Sequence, residues 1–118
     1  MFSCVDFAPA MVRGNIHPDS KAAVAERLLV IRMVKGWTQE TAAKRIGESQ
    51  ATWGWWEVPD NVRRPTGDQL RAIELATSFP REWVQSGISA RVPPKLEEKI
   101  ADAIERIRRG ERPRKRKR

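Results

Sequence analysis

The chain has one cysteine and one histidine among its 118 residues. Cys4 therefore has no partner for a disulfide within the chain, and a Cys/His metal site is not expected. A Cys4–His17 catalytic pair is formally available, but both residues sit in a leader without clear periodicity. A free thiol and a solvated imidazole in a cytoplasmic protein are the simpler expectation. No apolar run approaches the roughly 20 residues of a membrane-spanning helix. The opening MFSCVDFAPAMVRG has no basic stretch ahead of an apolar core, so it makes a poor secretion signal. Period-two runs of β-branched residues are absent, which argues against a sheet. There is no glycine-rich phosphate loop, metal-ligand spacing or nucleophile–base pair. The expectation is a protein that is not an enzyme and needs no metal or cofactor.

What the chain does have is positive charge in one place. Its formal net charge is +8. Residues 106–118, RIRRGERPRKRKR, hold nine basic residues and one acidic, so the other 105 residues balance at 14 and 14. A neutral domain with a basic tail suggests contact with a polyanion, most often nucleic acid. A solvated, partnerless tail is the bland alternative.

Caps and apolar spacing predict six helices. Val24, Leu28, Ile31 and Val34 recur at helical spacing behind Ser20 or Asp19, and Gly36 closes that first helix. Thr38 caps a second helix over 39–46, closed by Gly47. Ser49 caps a third over 50–57, and Pro59 stops it by disfavouring helix at Val58. Thr66 and Gln69 have capping-box spacing and open a fourth through about Ser78. Its apolar residues are Leu70, Ile73, Leu75 and Ala76. A short fifth helix, REWVQ, follows Pro80 and ends at Gly87. After Val92-Pro93-Pro94 a sixth spans 95–109.

The third helix carries SQATWGWWE, with three tryptophans in four positions. Successive helical residues turn by about 100°. Counted from Gln50, Trp53 falls at ~300° and Trp56 at ~240° around the helix axis. On the same count Gly54 falls at ~40°, Ala51 at ~100° and Trp55 at ~140°. Trp53 and Trp56 therefore read as core. The opposite face offers an amide, a methyl, a missing side chain and an exposed indole, which suits a helix approached closely by something else. Glutamine can pair with adenine, alanine can touch a thymine methyl, and glycine permits close approach.

In the sixth helix Leu96, Ile100, Ala103 and Ile107 step by four, three and four, with Ile104 alongside, as in a short coiled-coil seam. About 15 residues are too few for a stable lone helix. The seam must pack either on its own domain or on a second copy.

The segment RLLVIRMVKGWTQETAAKRIGESQATWGWWE resembles the helix-turn-helix of the lambda-repressor and Cro-like (XRE) family. Gly36 precedes the Thr38-Gln39 start of the second helix. Ala43 lies four residues before the turn glycine, Gly47, and Trp53 six after it. Trp56-Glu57 ends the third helix, much as in some phage-borne regulators. RRP at 63–65 and PREWVQSG at 80–87 resemble the family's later loop and final helix. Glu48 and Pro59 depart from the pattern, which commonly has an apolar residue and a glycine there.

Over residues 20–87 the resemblance implies an all-α fold: a five-helix lambda-repressor-like domain at 19–90, here with a C-terminal helix and basic tail at 91–118. A weakly ordered extension, 1–18, precedes it. The implied function is a sequence-specific double-stranded-DNA-binding regulator, a phage-type repressor acting as a homodimer on a palindromic operator. Gln50, Ala51, Gly54 and Trp55 would face base edges. Thr38, Gln39, Ser49, Arg63 and Arg64 would meet phosphates, or for the two arginines the minor groove. Arg32 and Glu57 match positions that form an ion pair. The dimer would use the seam at Leu96, Ile100, Ala103 and Ile107. Two alternatives stay open: an antitoxin whose last helix also masks a toxin protein, and a protein- or RNA-binding adaptor using Trp55.

Overall fold

A computed structural model describes residues 20–59 and 63–113. The 1–18 extension, Cys4, His17 and the cationic run 114–118 lie outside the described residues. Among those described there are six helices and no strand. They are α1 (Lys21–Lys35), α2 (Gln39–Arg45), α3 (Gln50–Trp56), α4 (Gly67–Thr77), α5 (Arg81–Ser86) and α6 (Pro94–Arg108).

Each of the first four helices starts at a hydroxyl that accepts a backbone N–H otherwise left unpaired. Ser20 accepts from Ala23 N, Thr38 from Thr41 N and Ser49 from Thr52 N. Thr66 and Gln69 complete a reciprocal capping box, with Gln69 Oε1 accepting from Thr66 N at 2.8 Å. The turn between α2 and α3 is held by two crossed bonds, Gly47 N to Lys44 O and Glu48 N to Ala43 O. It needs a left-handed residue, and Gly47 supplies it at φ 76°. Glu48, out of pattern for an apolar turn position, accepts from Gln69 Nε2 at 3.1 Å and so links this turn to α4.

α1 is the hub of the core. Leu28, Val30 and Ile31 are buried with Ala42, Ala43, Trp53, Trp56, Ile73, Phe79 and Val84 from the later elements. In α4 the buried side chains are Leu70, Ile73 and Thr77. Leu75, also apolar, is 76% exposed. The reason is phase: Leu75 is five residues from Leu70, about 140° off its face, whereas Thr77 lies in line and its hydroxyl donates to Ile73 O.

α6 packs on α1. Ile100, Ala103 and Ile107 are buried in the chain's own core, and Leu96 and Ile104 pack against it. The seam assigned to a homodimer is therefore an intramolecular contact. An apolar stripe of this length needs a partner, and α1 provides one.

Candidate functional site

α3 is seven residues long, QATWGWW, and contains no charged residue. Its two faces differ as the helical phase requires. Trp53 is fully buried and Trp56 is 4% exposed, whereas Trp55 is 39% exposed. The inner indoles pack at 5.7 Å between centroids with planes tilted by 54°, a favoured aromatic arrangement. Gln50 and Ala51 lie on the surface with Trp55.

The C-terminal end of α3 is fixed by one carboxylate. Glu57 Oε2 accepts from Arg32 Nε at 2.6 Å and from Trp53 Nε1 at 2.6 Å. Its Oε1 accepts from Arg32 Nη2 at 2.8 Å and from Gln39 Nε2 at 3.0 Å. Arg32 also donates to Trp37 O at 3.2 Å. The Arg32 and Glu57 side chains are only 6% and 8% exposed. Burying ions is costly unless their bonding capacity is filled, and here four donor bonds converge on a single carboxylate. The network ties α1, the start of α2 and the core face of α3 into one unit.

This assigns internal roles to three residues otherwise expected at a phosphate or a base. Thr38 is buried, and its hydroxyl caps α2 and bonds Thr41 Oγ1. Gln39 holds Glu57. Gly54 is half-buried, and a Cβ placed there would meet Gln39 Oε1 at 3.4 Å. The gap beside the tryptophans thus accommodates the Gln39 amide. Ser49, the α3 cap, is on the surface, as are Arg63 and Arg64.

Two features of this surface have no counterpart in the sequence pattern. The Arg63 guanidinium stacks over the Trp55 ring at 4.1 Å from its centroid. In addition, the chain turns sharply at the end of α6. Gly110, at φ 93°, and Glu111 bond back to Ile107 O and Arg106 O. The Glu111 carboxylate takes bonds from Arg106 at 2.8 Å and Arg109 at 3.1 Å. Those two guanidinium groups, Arg106 first, hold its carboxyl below the ordinary carboxylate range. Arg112 bonds Ile107 O, Pro113 is buried, and both line one open cleft with Gln39 and Gln50. The start of the basic run is therefore beside the N-terminal ends of α2 and α3.

No helix among the described residues is long and apolar enough to cross a membrane. No group of three or more His, Cys, Asp or Glu among them could hold a metal ion. Comparison with protein-family models, curated proteins and solved structures finds no match to this chain.

Proposed function

We propose that the protein is a sequence-specific double-stranded-DNA-binding transcriptional regulator in which α2 and α3 act as a helix-turn-helix and α3 enters the major groove. The observation carrying this reading is the division of α3. One face is locked into the core by Trp53, Trp56 and the Glu57 network, and the other presents Gln50, Ala51 and Trp55 at the surface. A groove-reading helix needs that combination of rigid seat and exposed polar edge. Ser49, Arg63 and Arg64 serve as phosphate or groove contacts, and the basic run from Arg112 onward adds sequence-independent attraction.

α6's apolar face is occupied by α1, so a homodimer on a palindromic operator uses another surface.

Selection from a random double-stranded DNA pool, followed by titration of the recovered site, tests the proposal. The expected result is a defined motif, read as a palindrome if the protein binds as a dimer. Gln50→Ala then relaxes preference at one base pair, by roughly 1–3 kcal/mol. Removing residues 114–118 lowers the salt slope by roughly 2, if about half of the lost cations meet phosphates, with little change in the preferred motif. Recovery of no enriched sequence would overturn the reading.

A further inference from the structure

We infer that Arg112 is a fixed clamp for one DNA backbone phosphate beside the start of α3, which makes the turn after α6 a built part of the nucleic-acid interface and not only the root of a cationic tail. The inference deepens the DNA-reading proposal above, on which it rests, by naming a phosphate contact supplied from outside α2 and α3.

Three arginines and one carboxylate meet where α6 ends, and the carboxylate is shared unequally. Glu111 accepts from Arg106 Nε at 2.8 Å and from Arg109 Nη2 at 3.1 Å. Arg112 has only neutral acceptors: its Nη1 donates to Ile107 O at 3.1 Å and to Glu111 O at 2.8 Å. Arg106 and Arg109 are therefore paired with an opposite charge, whereas Arg112 makes no ion pair among the described residues. Its positive charge is not cancelled locally. The two bonds that hold it also use a single nitrogen. A guanidinium carries its donors on three nitrogens in a rigid fork, and Nε and Nη2 make no bond among the described residues.

The backbone under this side chain is fixed as well. Gly110 turns the chain at φ 93°, and Glu111 N donates to Arg106 O at 3.0 Å. Pro113 is buried, and a proline restricts the residue before it to extended backbone. Arg112 thus pays part of its ordering cost before any ligand arrives.

The place is suitable. Arg112 and Pro113 line an open cleft of about 700 Å³ with Leu29, Gln39 and Gln50. Gln39 and Gln50 are the first residues of α2 and α3. A recognition helix meets base edges with its N-terminal residues, so a phosphate bounding the groove comes beside this cleft. Phosphate oxygens match the guanidinium fork in charge and geometry. One group opposes an anion here. Glu40 lines the same cleft without an ion pair among the described residues, unlike Glu57, which is paired with Arg32. Removing its charge is therefore a test of opposite sign.

The experiment uses the full chain on the site recovered by random selection, with thermal melting to verify folding. Each form is titrated at several salt concentrations, then on duplexes carrying one neutral methylphosphonate at successive backbone positions. In wild type, neutralising one particular phosphate should weaken binding by roughly 3- to 10-fold. Arg112→Ala should lower the salt slope by roughly 0.9, leave the preferred motif unchanged, and abolish the effect at that phosphate. Gly110→Ala keeps every charge but cannot hold φ 93° without strain, and should lose the same single-phosphate effect. Deleting residues 114–118 should leave that effect in place. Glu40→Gln should tighten binding. Calorimetry with inorganic phosphate alone should show no saturable binding. Four results would overturn the inference while leaving the DNA-reading proposal intact: an unchanged salt slope in Arg112→Ala, a single-phosphate effect that survives in Arg112→Ala or Gly110→Ala, weaker or equal binding in Glu40→Gln, or a saturable, Arg112-dependent isotherm with inorganic phosphate, which would assign the site to a free anion. A wild type that selects no sequence overturns both.

Discussion

Glu57 and Arg91 are each the centre of a multi-bonded ion cluster, yet their surroundings are opposite. Glu57 is 8% exposed and receives bonds from Arg32, Gln39 and Trp53. Arg91, 56% exposed, donates to Glu74 at 2.6 Å and Glu82 at 2.9 Å across α4 and α5. On paper both clusters join separate elements. The difference is what replaces a lost partner. At Arg91 water takes over each bond, and screening already weakens the charges. At Glu57 a deleted partner strands an ion that solvent reaches poorly. Position therefore decides the worth of these contacts more than bond number or length does.

The largest test of that contrast removes one half of the buried pair. Arg32→Ala or Glu57→Ala should lower unfolding free energy by about 3–5 kcal/mol in urea titrations. A loss below about 1 kcal/mol would mean that water from the adjoining cleft already serves these groups, and the contrast would collapse. Next comes Trp53→Phe, which keeps an aromatic ring but deletes the Nε1–H donor to Glu57. A cost of about 1–3 kcal/mol is expected for the lost bond, and combining it with Gln39→Ala should be non-additive because both serve one carboxylate.

A smaller effect of opposite sign is expected at Gly54. Its φ is not in the left-handed region, and an added Cβ meets Gln39 Oε1 at an ordinary 3.4 Å. Gly54→Ala should raise stability by up to about 1 kcal/mol through helix propensity. Destabilisation instead would show that the Gln39 amide has no room to adjust, making the clamp stiffer than its contacts imply. The smallest effect belongs to the exposed cluster: Arg91→Ala should leave the melting temperature near that of wild type at neutral pH. The Glu82 carboxyl is held below its ordinary range, chiefly by a hydrogen bond from its own backbone amide and then by Arg91. A depressed carboxyl stabilises above its unfolded pKa and loses that contribution as pH falls through the folded one. Any gap between wild type and Glu82→Gln should therefore close on acidification through and below the ordinary carboxylate range. A gap that widens would reverse the assigned sign.

Much of the helical layout was legible because it depends on neighbours in sequence. Ser20, Thr38, Ser49 and Thr66 cap locally, and helix ends fall within a residue or two of their expected places. The split of Trp53 and Trp56 from Trp55 followed from the regular helical step. The exposure of Leu75 follows from the same step, because it lies about 140° around the helix from Leu70. What stayed hidden involves residues distant in sequence. Nothing local tells that the Gln39 amide and the Trp53 N–H converge on Glu57, or that Arg63 folds over Trp55. The seam in α6 was visible, but an apolar stripe has the same composition whether it meets α1 or a second chain, so its partner was not.

The pairing of α1 with α6 also imposes an order on synthesis. α1 is the first of the described helices to be made and α6 the last. Leu29 and Met33 of α1 border the same clefts as Ile107 and Ala103 of α6, so that flank is covered only when the end of the domain arrives. A ribosome adds about 5–20 residues per second, and α1 must wait for seconds with this flank exposed. Ribosome release before α6 leaves it exposed permanently. Chaperones and proteases can then distinguish an interrupted chain from a finished one by the uncovered side of α1.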